Sequence, residues 1–180
     1  MPVRPWNRVE AAKALEARTE ADLANISLPP PHEYFRDIRI YRQRATDGGR
    51  TRNGVHVLSR HSLGNGDTQI NAGPTIFRDP CENCIQFRSG AQLAFGVTLR
   101  FDGAQSTLLA YRFYLSLLPA SGLRFVRIDL NAPKETYDPL HMPRCHMHPG
   151  FEGIHMPFPV MTPIEVLDRI VHVIEPHFTP

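Results

Sequence analysis

The spacing of apolar and polar positions changes several times along this chain, and each change marks an element. Over residues 6–26, Val9, Ala12, Leu15, Leu23 and Ile26 recur near helical spacing with acids and bases between them, which predicts an amphipathic helix. The prolines of LPPPH (28–32) are expected to end it, because consecutive prolines cannot continue a helix. Residues 33–44, EYFRDIRIYRQR, set Phe35, Ile38 and Ile40 against Arg36, Arg39 and Arg42. That roughly two-residue period predicts a half-buried strand. TDGGRTRNG then reads as a turn and VHVLSRHSL as a second strand, so the two runs are expected to form a hairpin. From 64 to 83, Gly, Asn, Asp and Pro dominate and a long loop is expected.

The firmest pattern follows. QLAFGVTLRF (92–101), TLLAYRFYLSLL (107–118) and LRFVRIDL (123–130) are strand-like runs joined by the turn-rich links DGAQS and PASG. Links this short join antiparallel neighbours, so the three runs predict a β-meander at the sheet centre. Phe95, Val97, Leu99, Leu109, Leu115, Phe125 and Ile128 are its expected core. Residues 131–162 are rich in proline and histidine and read as an irregular loop. Thr162 suits an N-cap, Pro163 the first helical position and Glu165 the positive end of a helix dipole. The last helix is expected over 163–175, with Ile164, Leu167, Ile170, Val171 and Ile174 on its apolar face and Pro176 as its stop. The expected architecture is α+β. A single domain spans 1–180, with an N-terminal helix over 6–26, a sheet within 33–130, a His-rich loop over 131–162 and a C-terminal helix.

Composition changes this picture little. A chain of 180 residues, 42% hydrophobic and 21% charged, is long enough for one real core. The net charge of +2 does not by itself demand a nucleic acid partner. Its distribution says more: Arg36, Arg39, Arg42, Arg44, Arg50, Arg52 and Arg60 cluster, while Lys13 and Lys134 are the only lysines. Arginine forms two-pronged contacts to phosphate and carboxylate, although an arginine-rich composition explains the cluster equally well. No run of 18 apolar residues and no signal-peptide core occur, so a cytoplasmic protein without membrane contact is expected.

Candidate chemistry concentrates after the third meander strand. Arg127 and Asp129 end that strand, and His141, Cys145, His146, His148 and His155 follow. His146 and His148 are two residues apart, so an extended backbone points both the same way. Together they could exchange protons near neutral pH, with Asp129 orienting one ring and Arg127 holding a phosphate. Tyr111 and Arg112 on the neighbouring strand are expected to contact nucleic acid, by base stacking or charge. The bland alternative is a loop whose histidines bond to backbone carbonyls. A separate candidate is Cys81-x-x-Cys84. Two thiolates at this spacing can share a structural zinc ion, completed by Cys145 and by His146 or His148. A redox pair or plain buried cysteines are the competing readings, and an odd number of cysteines does not make a disulfide framework.

LRFVRIDLNAP, CHMHPGFEG and MTPIEVLDRI together resemble the TumE-like family, small toxins of bacterial toxin–antitoxin pairs. Arg127, Asp129, Asn131, Pro133, His146 and His148 fall in that family's order. An extra Leu130 separates Asp129 from Asn131, the loop before the histidines is longer, and the first 85 residues have no counterpart. The resemblance implies an α+β toxin acting on RNA and restrained by an antitoxin-like protein. The expected function is therefore a toxin or defence protein that binds or cleaves RNA without a catalytic metal. The alternative is a non-catalytic, zinc-stabilised interaction module.

Overall fold

The computed structural model describes residues 8–47, 58–74, 81, 84–133 and 142–177. An antiparallel sheet of eight strands dominates it: β1 Leu58–Gly64, β2 Asp67–Ala72, β3 Ile85–Gln86, β4 Gln92–Phe101, β5 Ser106–Ser116, β6 Phe125–Leu130, β7 Cys145–Pro149 and β8 Met156–Pro157. Their order across the sheet is β1-β2-β4-β5-β6-β7-β8, and β3 pairs with β4 beyond the end of β2. The expected meander is β4-β5-β6. Helix α1 covers Arg8–Ala24, α2 Pro31–Asp47 and α3 Pro163–Arg169, the last running on through a π turn at Ile170–Ile174.

Side chains alternate between the two faces of each strand, and among the described residues the helices cover one of them. Ile70, Leu93, Phe95, Val97, Phe113, Leu115, Val126 and Ile128 form one core with Tyr34 and Ile38 of α2 and Val166, Leu167, Ile170 and Val171 of the C-terminal helix. Phe95 stacks on Phe113 with ring centroids 5.2 Å apart. A β-bulge between the Thr98–Ala110 and Leu99–Leu108 pairs shifts the parity of β5. It makes Leu108 the buried residue there and leaves Leu109, an expected core residue, only half-buried.

Five expectations are corrected. Residues 33–44 lie in α2 and not in a strand, so they make no hairpin with β1. The apolar spacing from Phe35 to Ile38 is three, and Tyr34 and Ile38 are one helical turn apart, both buried. Helix α1 stops at Ala24, short of Ile26 and five residues before Pro29, so the proline run does not itself end it. The run starts the next helix: Pro31 takes its first position, and the Pro30 carbonyl accepts from Glu33 and Tyr34 N–H. Within the expected loop 64–83, Asp67–Ala72 is a strand, paired to β1 through a turn with Gly64, Asn65 and Gly66 all at positive φ. A Cβ on Gly66 would stand 2.7 Å from the Phe101 carbonyl oxygen, so this turn is also closely packed. The expected loop 131–162 contains β7 and β8. Pro176 lies within the last helical turn, Glu175–His177, after the π turn in which Glu175 N–H bonds to the Ile170 carbonyl. The start of that helix is as expected: Thr162 and Glu165 form a reciprocal capping box, with Pro163 in the first turn. Among the described residues, no helix is long and apolar enough to cross a membrane.

Candidate functional site

The uncovered face carries the polar chemistry. Antiparallel register sets Arg112 of β5 opposite Asp129 of β6, and Asp129 opposite His146 of β7. Two pairs along, Tyr114, Arg127 and His148 form a second row. His155, from the segment between β7 and β8, meets the rings of both His146 and His148. The three centroids are 4.5–5.0 Å apart and the planes cross at 67–75°. One nitrogen from each ring can be chosen so that all three lie within 4.8 Å of one another, close enough to hold a metal ion.

Asp129 is the electrostatic hub, with 2% of its surface exposed. Its carboxylate accepts from Arg112 Nε at 3.1 Å and Arg127 Nε at 2.7 Å. His146 Nε2 and His148 Nε2 lie 3.6 and 3.4 Å from its Oδ2. Burial alone would raise the Asp129 pKa, but a hydrogen bond from His148 and the charges of Arg127 and Arg112 outweigh it and hold the carboxyl below its usual range. Arg127 also pairs with Glu152, and its Nη2 lies 2.5 Å from His148 Nε2.

His146 and His148 are 1% and 0% exposed, whereas His155 is half-buried. His146 Nδ1 sits 2.6 Å from the Pro143 carbonyl, and a carbonyl only accepts, so Nδ1 carries the proton. The His146 pKa is lowered, first by burial, then by the neighbouring His148 and His155, against a rise from Pro143 and Asp129. Burial also lowers that of His155, helped by His148 and Arg127. His148 Nδ1 is buried without a hydrogen-bond partner. Beside the cluster, a cavity of about 390 Å³ opens on the same sheet face, with Gln69, Asn71, Thr98, Arg112, Arg127 and Asp129 among its walls.

The expected residues His146, His148, Arg127, Asp129 and Arg112 therefore meet. Tyr111 is corrected: it lies on the covered face, 3% exposed, with its hydroxyl 3.4 Å from Cys145 Sγ, where no base can stack on it. The metal set Cys81, Cys84, Cys145 and His146 is corrected too. Cys81 and Cys84 are bonded to each other as a disulfide packed on Ala94, so neither offers a thiolate. Cys145 faces the core, contacting Tyr111 and the Pro159 carbonyl, whereas its neighbour His146 faces the other way. Adjacent strand residues cannot share one ion across a sheet. His141 lies outside the described residues. His155, named in the sequence only as part of the loop, completes the cluster; no strand parity ties it to His146 and His148. No family model, curated protein or solved structure matches the chain.

Proposed function

We propose that the open sheet face binds RNA and that the protein is a toxin-like member of a bacterial toxin–antitoxin or defence system, acting on the phosphodiester held beside the imidazole cluster. One observation carries this reading: a cavity of about 390 Å³ brings Arg112 and Arg127 to the edge of three histidines and a buried carboxylate. Guanidinium groups match phosphate oxygens in pairs, and Arg112, with a side chain 55% exposed, is the one within easy reach of solvent. Arg127, at 17%, acts from behind it. His146 and His148 are too buried to meet a substrate hydroxyl directly, and His155 is the one of the three rings that solvent partly reaches. Two of the segments that resemble TumE-like toxins supply Arg127, Asp129, His146 and His148, while Arg112 and His155 lie outside them; the partner this reading expects is an antitoxin-like protein.

Binding of single-stranded RNA oligonucleotides across a salt series tests the reading. Wild-type affinity should fall steeply with salt. Arg112→Ala should weaken it about 10-fold and reduce the slope of log K against log salt by about 0.7, the share of one phosphate contact. No salt-dependent RNA binding, or an unchanged Arg112→Ala variant, would reject it. A second reading, a non-catalytic, zinc-stabilised interaction module, is favoured by the burial of His146 and His148. It requires no RNA binding and retention of a protein partner by Arg112→Ala.

A further inference from the structure

We propose that His146, His148 and His155 hold one divalent transition-metal ion of the zinc class, at a site distinct from the cysteines and independent of whether the open face binds RNA. The first ground is the arrangement of the rings. Three imidazoles crossing at 67–75° with centroids 4.5–5.0 Å apart surround one point and do not stack. A tetrahedral ion with Zn–N bonds of about 2.0–2.1 Å sets its ligand nitrogens roughly 3.4 Å apart. The three nitrogens here lie within 4.8 Å of one another. The ion would draw them together by up to about 1.4 Å.

The second ground is an unmet hydrogen-bonding group. His148 is fully buried, and its Nδ1 has no partner. Nε2 lies 3.4 Å from Asp129 Oδ2, which accepts, and 2.5 Å from Arg127 Nη2, which only donates. With the Nε2 proton toward Asp129, Nδ1 presents a bare lone pair; with Nε2 accepting from Arg127, Nδ1 carries the proton and a donor is buried unsatisfied. Leaving such an atom unpaired costs about 1–3 kcal/mol. A bound cation removes that cost in the first tautomer and not in the second.

The third ground lies behind the rings. Metal-binding histidines typically give their other nitrogen's proton to a carbonyl or carboxylate, which fixes the ring and its tautomer. His146 Nδ1 bonds to the Pro143 carbonyl, which leaves Nε2 as its ligand atom. Asp129 lies 3.4 Å from His148 Nε2 and contributes negative charge to the site. Arg127 and Arg112 oppose it, Arg127 in direct contact with His148. Asp129 and Glu152 both pair with Arg127, so its charge is offset locally.

All three donors are imidazole nitrogens, which suit zinc, cobalt, nickel or copper and disfavour magnesium and calcium. Three protein ligands leave a fourth position, the pattern of catalytic more than of structural zinc. Of the three rings only His155 is partly exposed, so access runs past it.

The test uses the full chain, stripped with a chelator and titrated with Zn²⁺ and separately Co²⁺ by calorimetry, with metal content measured after gel filtration. The wild type should bind one equivalent. His155→Ala, which removes a partly exposed ring and preserves the core, should lower affinity at least about 10-fold. His172→Ala, an exposed histidine on the C-terminal helix, should leave it unchanged. Cys145→Ala should also retain the metal. Substoichiometric binding by the wild type, or wild-type affinity in His155→Ala, overturns the proposal. RNA binding measured on the same samples separates the two claims: metal without RNA binding rejects only the proposed function, and RNA binding without metal rejects only this site.

Discussion

Tyr34 shows how one buried hydroxyl ties helices together and links stability to pH. It is 3% exposed in the core, and its oxygen accepts the Ile164 N–H at the start of α3 at 3.3 Å. Burial raises its pKa well above 10.0, and the nearby Glu165 and Asp37 charges add to this. The folded value exceeds the unfolded one, so this contribution is fully present below about pH 10 and is lost as pH rises through the folded value. Thermal unfolding between pH 8 and 11 should show stability falling at the alkaline end, and Tyr34→Phe should make that fall shallower. An equally steep fall in the variant would assign the titration to another group. Single residues were legible in the sequence to the extent that strand parity applied. His146 and His148 share a face because they are two apart, as do Arg127 and Asp129. The same rule forbids Tyr111 and Arg112, or Cys145 and His146, from sharing one. Those pairs were read by chemical type without the parity check. His155 was beyond such reasoning, since its place depends on how the chain turns between β7 and β8.

At the scale of elements, agreement between local signals decided what could be read. The meander strands combine apolar runs with turn residues at both ends, and they occupy their expected ranges to within a residue or two. The N-cap of α3 was equally explicit in Thr162 and Pro163, while Glu165, expected to act on the helix dipole, also closes a capping box. Thr162→Ala removes the oxygen that accepts from Glu165 N–H and should cost about 1 kcal/mol, or roughly 2–4 °C in Tm for a chain of this size. Chemical denaturation would check it, and an unchanged midpoint would show that Pro163 and the packing of Val166 suffice. Segment 33–44 misled because arginines fall between apolar residues in a way that imitates alternation. The deciding contact, Ile38 and Tyr34 against the sheet, is tertiary. β2 was hidden for a different reason. Its side chains Gln69 and Asn71 line the cavity and Asp67 pairs with Arg100, so only Ile70 and Ala72 signal a core.

Among the described residues, helices cover one face of the sheet and the other carries the cavity. The helices need not be equally secure. α2 and the C-terminal helix contribute several fully buried apolar side chains to the core, whereas α1 adds the partly buried Leu23 and a polar contact: Arg144, 4% exposed just before β7, pairs with Glu20 and with the Asn131 carbonyl. Glu20→Ala leaves the Arg144 guanidinium with that carbonyl as its remaining described partner. Hydrogen exchange should then show faster opening of α1, by about 10-fold, with protection in β4 and β5 unchanged. Uniform loss across the protein would mean that α1 belongs to the main cooperative unit.

The alternation that puts Ile128 and Arg127 on opposite sides of β6 also limits how this protein can vary. Substitution on the open face can change the cleft's chemistry while the core, one residue away in sequence, keeps its contacts. Changes in length are another matter. Adding or deleting one residue in β6 or β7 would turn Asp129 or His146 toward the helices and send Val126 or Met147 to water, losing site and core at once. Adding or deleting two restores the facing. The strands that carry the histidines can thus diverge freely in composition, and in length by even steps.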